Sequence, residues 1–381
     1  MSKAKLVEVT RHITAPVSNL LWGRAAGRCE FEGHNKPLWK SSVTQDLVNI
    51  AQRAHIWSFS SDGPRGNEGI DPNELNGFDN LLLLCHECHE LIDKEKDGGK
   101  YTVALLQAMK EKHERRIEIT TGVDANKKSQ IVLYWANIGD HSALLNYTNT
   151  AEALFPDYWP FDDKPISLGT VDGVSRDNDP DFWTIEAANL KAKFAQRINV
   201  PYATGNLPHL SIFGLAPQPL LILLGSLVTD IPPCEVFQLH REPKGWRWPT
   251  APQPSNFQII EPRKKSGVPA LVVSLSATIT ADRITSVLGE DVAIWTITIP
   301  TPNNDFLKSR QQLADYRTLL RPLLDKIKAI HGQTATLNIF PAMPVSAAVE
   351  LGRVRMPKAD MSWQVFDQVA GLGGFVPAVT I

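Results

Sequence analysis

Apolar positions along the chain follow two regimes. Over 103–120 (VALLQAMKEKHERRIEIT) they recur at helical spacing with charges paired four apart, which predicts an amphipathic helix. Upstream, the unbroken apolar run 81–84 predicts a strand, and the residues after it predict a helix beginning near Cys88 or His89. Past the polar, aperiodic TGVDANKKSQ the pattern changes to β-branched runs. IVLYWANI, HLSIFGLA, CEVFQLHR, ALVVSLSATI, VAIWTITIP and TATLNIFPA all read as buried strands, with longer helices at 182–198 and 306–330. The expectation is an α/β multidomain chain divided at that polar stretch, into residues 1–122 and 130–381.

Within the second part, 210–240 and 271–299 both read as strand, short helix ending near Gly225 or Gly289, then strand. Two Rossmann-like halves follow, roughly 130–255 and 256–381, joined through the proline-rich 243–262.

Composition narrows the classes. No apolar run approaches the length that spans a bilayer, the longest candidate, 219–228, being too short. The opening MSKAKLVEVTRHITAP has no apolar core of the secretory kind, so a cytoplasmic, bacterial location is expected. Three of the four cysteines precede residue 90 and the fourth, Cys234, stands far off, which favours metal binding over a disulfide framework. Residues 1–120 hold 16 Lys plus Arg against 17 Asp plus Glu, so any grip on nucleic acid must come from local patches, metal or several copies together.

Candidate chemistry concentrates in those residues. Cys29 with His34 and Cys85 with Cys88 make a Cys3His set suited to structural zinc, with His86 the alternative fourth ligand. His89 and Asp93, four apart on the expected helix, point the same way and can grip one Mg2+ or Mn2+ while leaving positions for water and phosphate. His55, in a short apolar segment, has the side chain for a general base, and Asn80 lies at the start of the strand that would pair with it. Arg65, in the GPRG loop, is either a phosphate clamp or a solvated loop residue.

The run AHI, then GPRG, then NLLLLCHECHELID resembles the HNH endonuclease motif. That resemblance implies a zinc-stapled ββα-metal fold over about 20–120, with His55 as base, Asn80 as the central asparagine, His89 as metal ligand and Asp93 in the second ligand position. The residue before the base often supplies another ligand in this family; here it is Ala54.

Residues 130–381 contain no Walker loop, no GxGxxG after a strand and no nucleophile elbow. Two segments remain as candidate contacts for a nucleotide. Trp246, Arg247 and Trp248 interleave aromatics with a cation, and NIFPAMPVSAAVELGR sets Pro344 and Ser346 at a helix start, where backbone amides receive phosphate. Each also reads as core or loop packing. HLSIFGLA, GSLVTDIPPCEVFQLHR with WRW, and NIFPAMPVSAAVELGR together resemble the SAVED domain, a fusion of two CARF-like Rossmann units. HNH followed by SAVED resembles the nuclease effectors of CBASS anti-phage systems. The resemblance implies a cyclic di- or trinucleotide as allosteric activator, self-association to a dimer or up to a tetramer, and unselective cleavage of double-stranded DNA. A restriction-type HNH enzyme with a DNA-reading C-terminal half, and a non-catalytic zinc module, are the competing expectations.

Overall fold

The computed structural model describes residues 12–67, 70–71, 74–94, 99–138, 145–169, 176–179, 181–249, 254–368 and 374–381. Most of the opening stretch considered above for a secretory signal, and 250–253 of the proline-rich connection, lie outside these. Among the described residues no helix is long and apolar enough to cross a membrane. The chain divides into two compact units, Met1–Val123 and Asp124–Ile381.

In the first unit, α1 (Ala15–Arg24) precedes strand β1 (Ala51–His55) and its antiparallel partner β2 (Leu81–Cys85), then α2 (His86–Ile92) and α3 (Val103–Thr121). The pairing runs from Ala51 opposite Cys85 to His55 opposite Leu81. All five residues of β2 are buried, which is why the run is apolar without alternation. Helix α2 follows with no loop, because Cys85 takes extended geometry (φ −77°, ψ 163°) as its cap. It therefore starts at His86, ahead of the position that periodicity predicts, and Asp93 is its C-cap rather than an interior residue. Thr102 caps α3 by accepting from the Leu105 amide, which satisfies one of the unpaired donors of the first turn.

The second unit holds two sheets. The first is parallel, in the order β4 (Trp159–Pro160), β3 (Lys128–Trp135), β6 (Leu210–Leu215), β7 (Cys234–Phe237), with β5 (Ile166–Ser167) also on β3. Helices α4 (Tyr147–Ala153), α5 (Phe182–Phe194) and α6 (Val200–Ala203) lie between these strands in sequence, and a π-helical turn, Ala195–Asn199, interrupts the continuous helix expected from 182. The second sheet runs β13 (Phe375–Thr380), β12 (Ser362–Gln368), β11 (Thr336–Ala342), β9 (Val268–Ser274), β10 (Val292–Thr298), β8 (Gln258–Ile260), parallel inside and antiparallel at both edges.

Four helices complete it: α7 (Gln218–Val228), α8 (Ala281–Leu288), α9 (Arg310–His331) and α10 (Val345–Arg353). Both sequence spans read as repeats do form strand, helix, strand. By place in the sheets, however, the counterpart of β6–α7 is β11–α10. Phe213, Pro217 and Gly225 recur at the same spacing as Phe340, Pro344 and Gly352, and both prolines are helix caps. The two helices cross each other, α10 packing on β6 and β7 of the first sheet and α7 on β11 to β13 of the second. One core from Ile131 to Val379 consequently serves both halves.

Candidate functional site

Four side chains from two knuckles converge in the first unit. Cys29, His34, Cys85 and Cys88 place one ligand atom each within 4.8 Å of the others. His34 Nδ1 is 3.1 Å from Cys88 Sγ and 3.5 Å from Cys85 Sγ. Zinc bonds of about 2.3 Å to sulfur and about 2.0 Å to nitrogen set tetrahedral ligands some 3.3–3.8 Å apart, so the cluster fits zinc with only small adjustment. Burial, and then proximity to Cys29 and Cys85, push the Cys88 thiol well above its ordinary range, and burial raises Cys29 as well. Thiols packed this way need a shared cation to ionise. His34 belongs to the group; the alternative, His86, does not.

The second knuckle opens α2, and one residue past Cys88 is His89. Its Nε2 lies 3.3 Å from Asp93 Oδ2, a separation at which both atoms can meet one oxygen-seeking divalent cation. Burial works to raise Asp93, but hydrogen bonds from His89 and Arg65 outweigh it and hold the carboxylate below its usual range. Both side chains keep solvent exposure, 28% and 40%. Ala54, where a further ligand is usual, is fully buried in the core opposite Leu82, so the position is used for packing.

His55 ends β1 and is half-buried. Its Nε2 lies 3.1 Å from Asn76 Oδ1. Asn76 is a contact of the candidate base that sequence reasoning missed, because Asn-Gly reads simply as a turn. Asn80, immediately before β2, is buried. Its Oδ1 accepts from the Trp57 amide at 2.7 Å, and its Nδ2 donates to the Trp57 and Leu75 carbonyls, tying the chain after His55 to the chain before β2.

Arg65 corrects an expectation. Its side chain is only 2% exposed, and its nitrogens donate to the carbonyls of His55, Ile56 and Ile92 and to Asp93 Oδ1. It is neither a solvated loop residue nor free to clamp a phosphate.

In the second unit a cavity of about 560 Å³ opens at the N-terminus of α10, lined among others by Gln238, His240, Arg241, Lys244, Pro344 and Val345. A neighbouring cavity of about 790 Å³ shares Leu215, Leu239 and Lys244 with it and adds Asn149, Trp246 and Arg247. His240 is 2% exposed, and neither ring nitrogen has a hydrogen-bond partner. Burial, and then Lys308, push it down to about 4, so the ring is neutral. Of the sequence candidates, Pro344, Trp246 and Arg247 line this cleft. Trp248 packs edge-on against His240 at 5.2 Å inside the core, and Ser346 is fully buried with its hydroxyl and amide both on Gln238 Oε1. Ser346 is not available to a ligand.

The fold and these sites define a ββα-metal module followed in the chain by a double Rossmann-like unit. Residues 29–96 match the HNH endonuclease family, and residues 190–381, half of the chain, match SAVED, the SMODS-associated and fused to various effectors sensor domain. The chain belongs to the SAVED family and is an HNH–SAVED fusion.

Among solved structures, the Acinetobacter baumannii Cap4 SAVED/CARF-domain containing receptor with the cyclic trinucleotide 2'3'3'-cAAA is similar at 14% identity and a TM-score of 0.43, covering 73% of this chain and 55% of that one. The Moraxella osloensis Cap4 receptor is similar at 13% identity and 0.41, over 82% and 70%. The chain thus spans little more than half the length of the Acinetobacter receptors. No curated protein matches it.

Proposed function

We propose that the protein is a DNA endonuclease effector of a bacterial CBASS anti-phage system, switched on when a cyclic di- or trinucleotide binds its SAVED half. The observation that carries the nuclease reading is the pair His89 Nε2 and Asp93 Oδ2, 3.3 Å apart at the end of α2, in a module whose other strand ends in His55. Mg2+ or Mn2+ bound there would stabilise charge developing on the phosphate and leaving oxygen. His55 takes the proton from the attacking water. The contact with Asn76 orients that imidazole, and Asn80 holds the chain that follows it.

The paired cavities support the sensor reading. A cyclic oligonucleotide offers phosphates and bases together, and here Arg241, Lys244 and Arg247 line the cavities alongside Glu242 and Glu152, the α10 N-terminus lies at one of them, and Trp246 supplies an aromatic wall. The near-even charge of the nuclease unit fits an enzyme whose monomer binds DNA weakly and acts once copies assemble on one duplex. The proposed setting is the bacterial cytoplasm, with double-stranded DNA as substrate and a homo-oligomer as the active form.

The test is purified protein with plasmid, Mg2+ or Mn2+, and a panel of cyclic di- and trinucleotides. Ligand-dependent loss of supercoiled plasmid, ending in short heterogeneous fragments, is expected. Equal cutting without ligand removes the activation step, fragments with defined ends point to a restriction-type enzyme, and no cutting under any combination removes the nuclease reading.

A further inference from the structure

We infer that Arg65 is a positioning residue of the nuclease, setting the distance between the base, His55, and the cation ligands His89 and Asp93. The inference rests on the nuclease reading above and adds a regulator of its geometry.

Backbone pairing fixes β1 against β2, and α2 grows directly from β2, so the N-terminal turn of α2 is placed by the hairpin. Among the described residues, the C-terminal end of α2, where Asp93 sits, has no such backbone tie to β1. The Arg65 side chain provides the link. Nε donates to Ile56 O at 2.7 Å and Nη2 to His55 O at 3.2 Å, which grips the end of β1. Nη1 donates to Ile92 O at 2.6 Å and Nη2 to Asp93 Oδ1 at 2.6 Å, which grips the end of α2. Because Oδ1 is held by the guanidinium, it is Oδ2 that faces His89 Nε2. Lysine, a single nitrogen, cannot reach both ends from one buried point. The backbone also accepts an unfavourable conformation to deliver this side chain, since Arg65 has φ +65°, a region that favours glycine.

The experiment compares wild type with Arg65→Lys. Mn2+ binding is read by electron paramagnetic resonance, independently of turnover, alongside cleavage at saturating cation and DNA affinity without cation. Folding is checked by zinc content and circular dichroism. The expected result is a half-saturating Mn2+ concentration about tenfold higher, cleavage lower by about 100-fold, and DNA affinity within twofold of wild type. Unchanged Mn2+ binding and turnover would overturn the inference, as would loss of DNA affinity with Mn2+ binding intact, which is the phosphate-clamp result.

If Arg65→Lys fails to retain zinc, Arg65→Gly is the second variant, because glycine relieves the positive φ. Restoration of its Mn2+ binding by millimolar ethylguanidinium supports the inference, and a folded Arg65→Gly protein that binds Mn2+ like wild type overturns it. Wild-type protein that binds Mn2+ but cuts no DNA under any condition defeats the nuclease reading, while the Mn2+ comparison still reports on Arg65.

Discussion

Gly225 and Gly352 face each other across the crossing of α7 and α10, and neither has room for a β-carbon. One added at Gly225 would stand 1.9 Å from the Val349 carbonyl oxygen, and one at Gly352 would stand 2.0 Å from that of Ile222. The two backbones touch directly, at the centre of the core that both sheets share. Because the obstacle is backbone, not a flexible side chain, substitution must push the helices apart. Gly225→Val or Gly352→Val is expected to destabilise residues 124–381 by about 3 kcal/mol or more, measured by urea denaturation. A variant as stable as wild type would show that the crossing tolerates separation.

The zinc cluster makes a prediction for the first unit alone. Native mass spectrometry should find one zinc per chain, and Cys88→Ser or treatment with a strong chelator should abolish it. Structural zinc contributes on the order of 10 kcal/mol to a small domain, so the thermal transition of residues 1–123 should disappear. Retention of that transition without zinc would refute a structural role.

His55 and Asn80 should separate chemistry from stability. His55→Ala is expected to lower cleavage by at least about 100-fold with zinc content and melting unchanged. Asn80→Ala removes three hydrogen bonds in a buried setting, to Trp57 twice and Leu75 once, and should cost about 2–4 kcal/mol. Equal effects of the two variants on melting temperature would contradict this division.

Acid should weaken the second unit before the general acid transition. Burial first, then Arg353 at His209 and Lys308 at His240, push both histidines down to about 4 in the folded protein. The unfolded chain, near 6.5, takes up these protons earlier as pH falls. Stability is therefore full above about 6.5 and is lost progressively towards about 4. The loss is on the order of 2 kcal/mol for His240. Melting of His240→Phe across pH 7.5 to 4.5 should show a shallower slope than wild type, and an identical slope would remove His240 as a contributor.

Much of the nuclease unit was legible because its ligands lie close in sequence. Cys85, Cys88, His89 and Asp93 fall in a strand-to-helix junction whose geometry follows from local spacing, and His55 opposite Leu81 follows from strand pairing. Arg65 was not legible, since burial of a loop arginine depends on a left-handed backbone and on carbonyls from two distant elements. In the second unit the main parallel strands were visible as apolar runs, but β8, β12 and β13 were not. β8 is exposed throughout, and β12 and β13 mix buried with partly or fully exposed positions near an edge, so no apolar run marks them. Trp246 and Trp248 left two readings open in the sequence, contact with a ligand and packing. Residues two apart along an extended chain share a side, and here both indoles are buried while Arg247 is exposed.

Cys88 and His89 are consecutive in α2, one in the zinc cluster and the other paired with Asp93. Withdrawing zinc, or oxidising a thiol of the knuckle, therefore reaches the cation ligand one residue away. In the proposed nuclease, cleavage would thereby depend on an intact zinc cluster as well as on the nucleotide ligand.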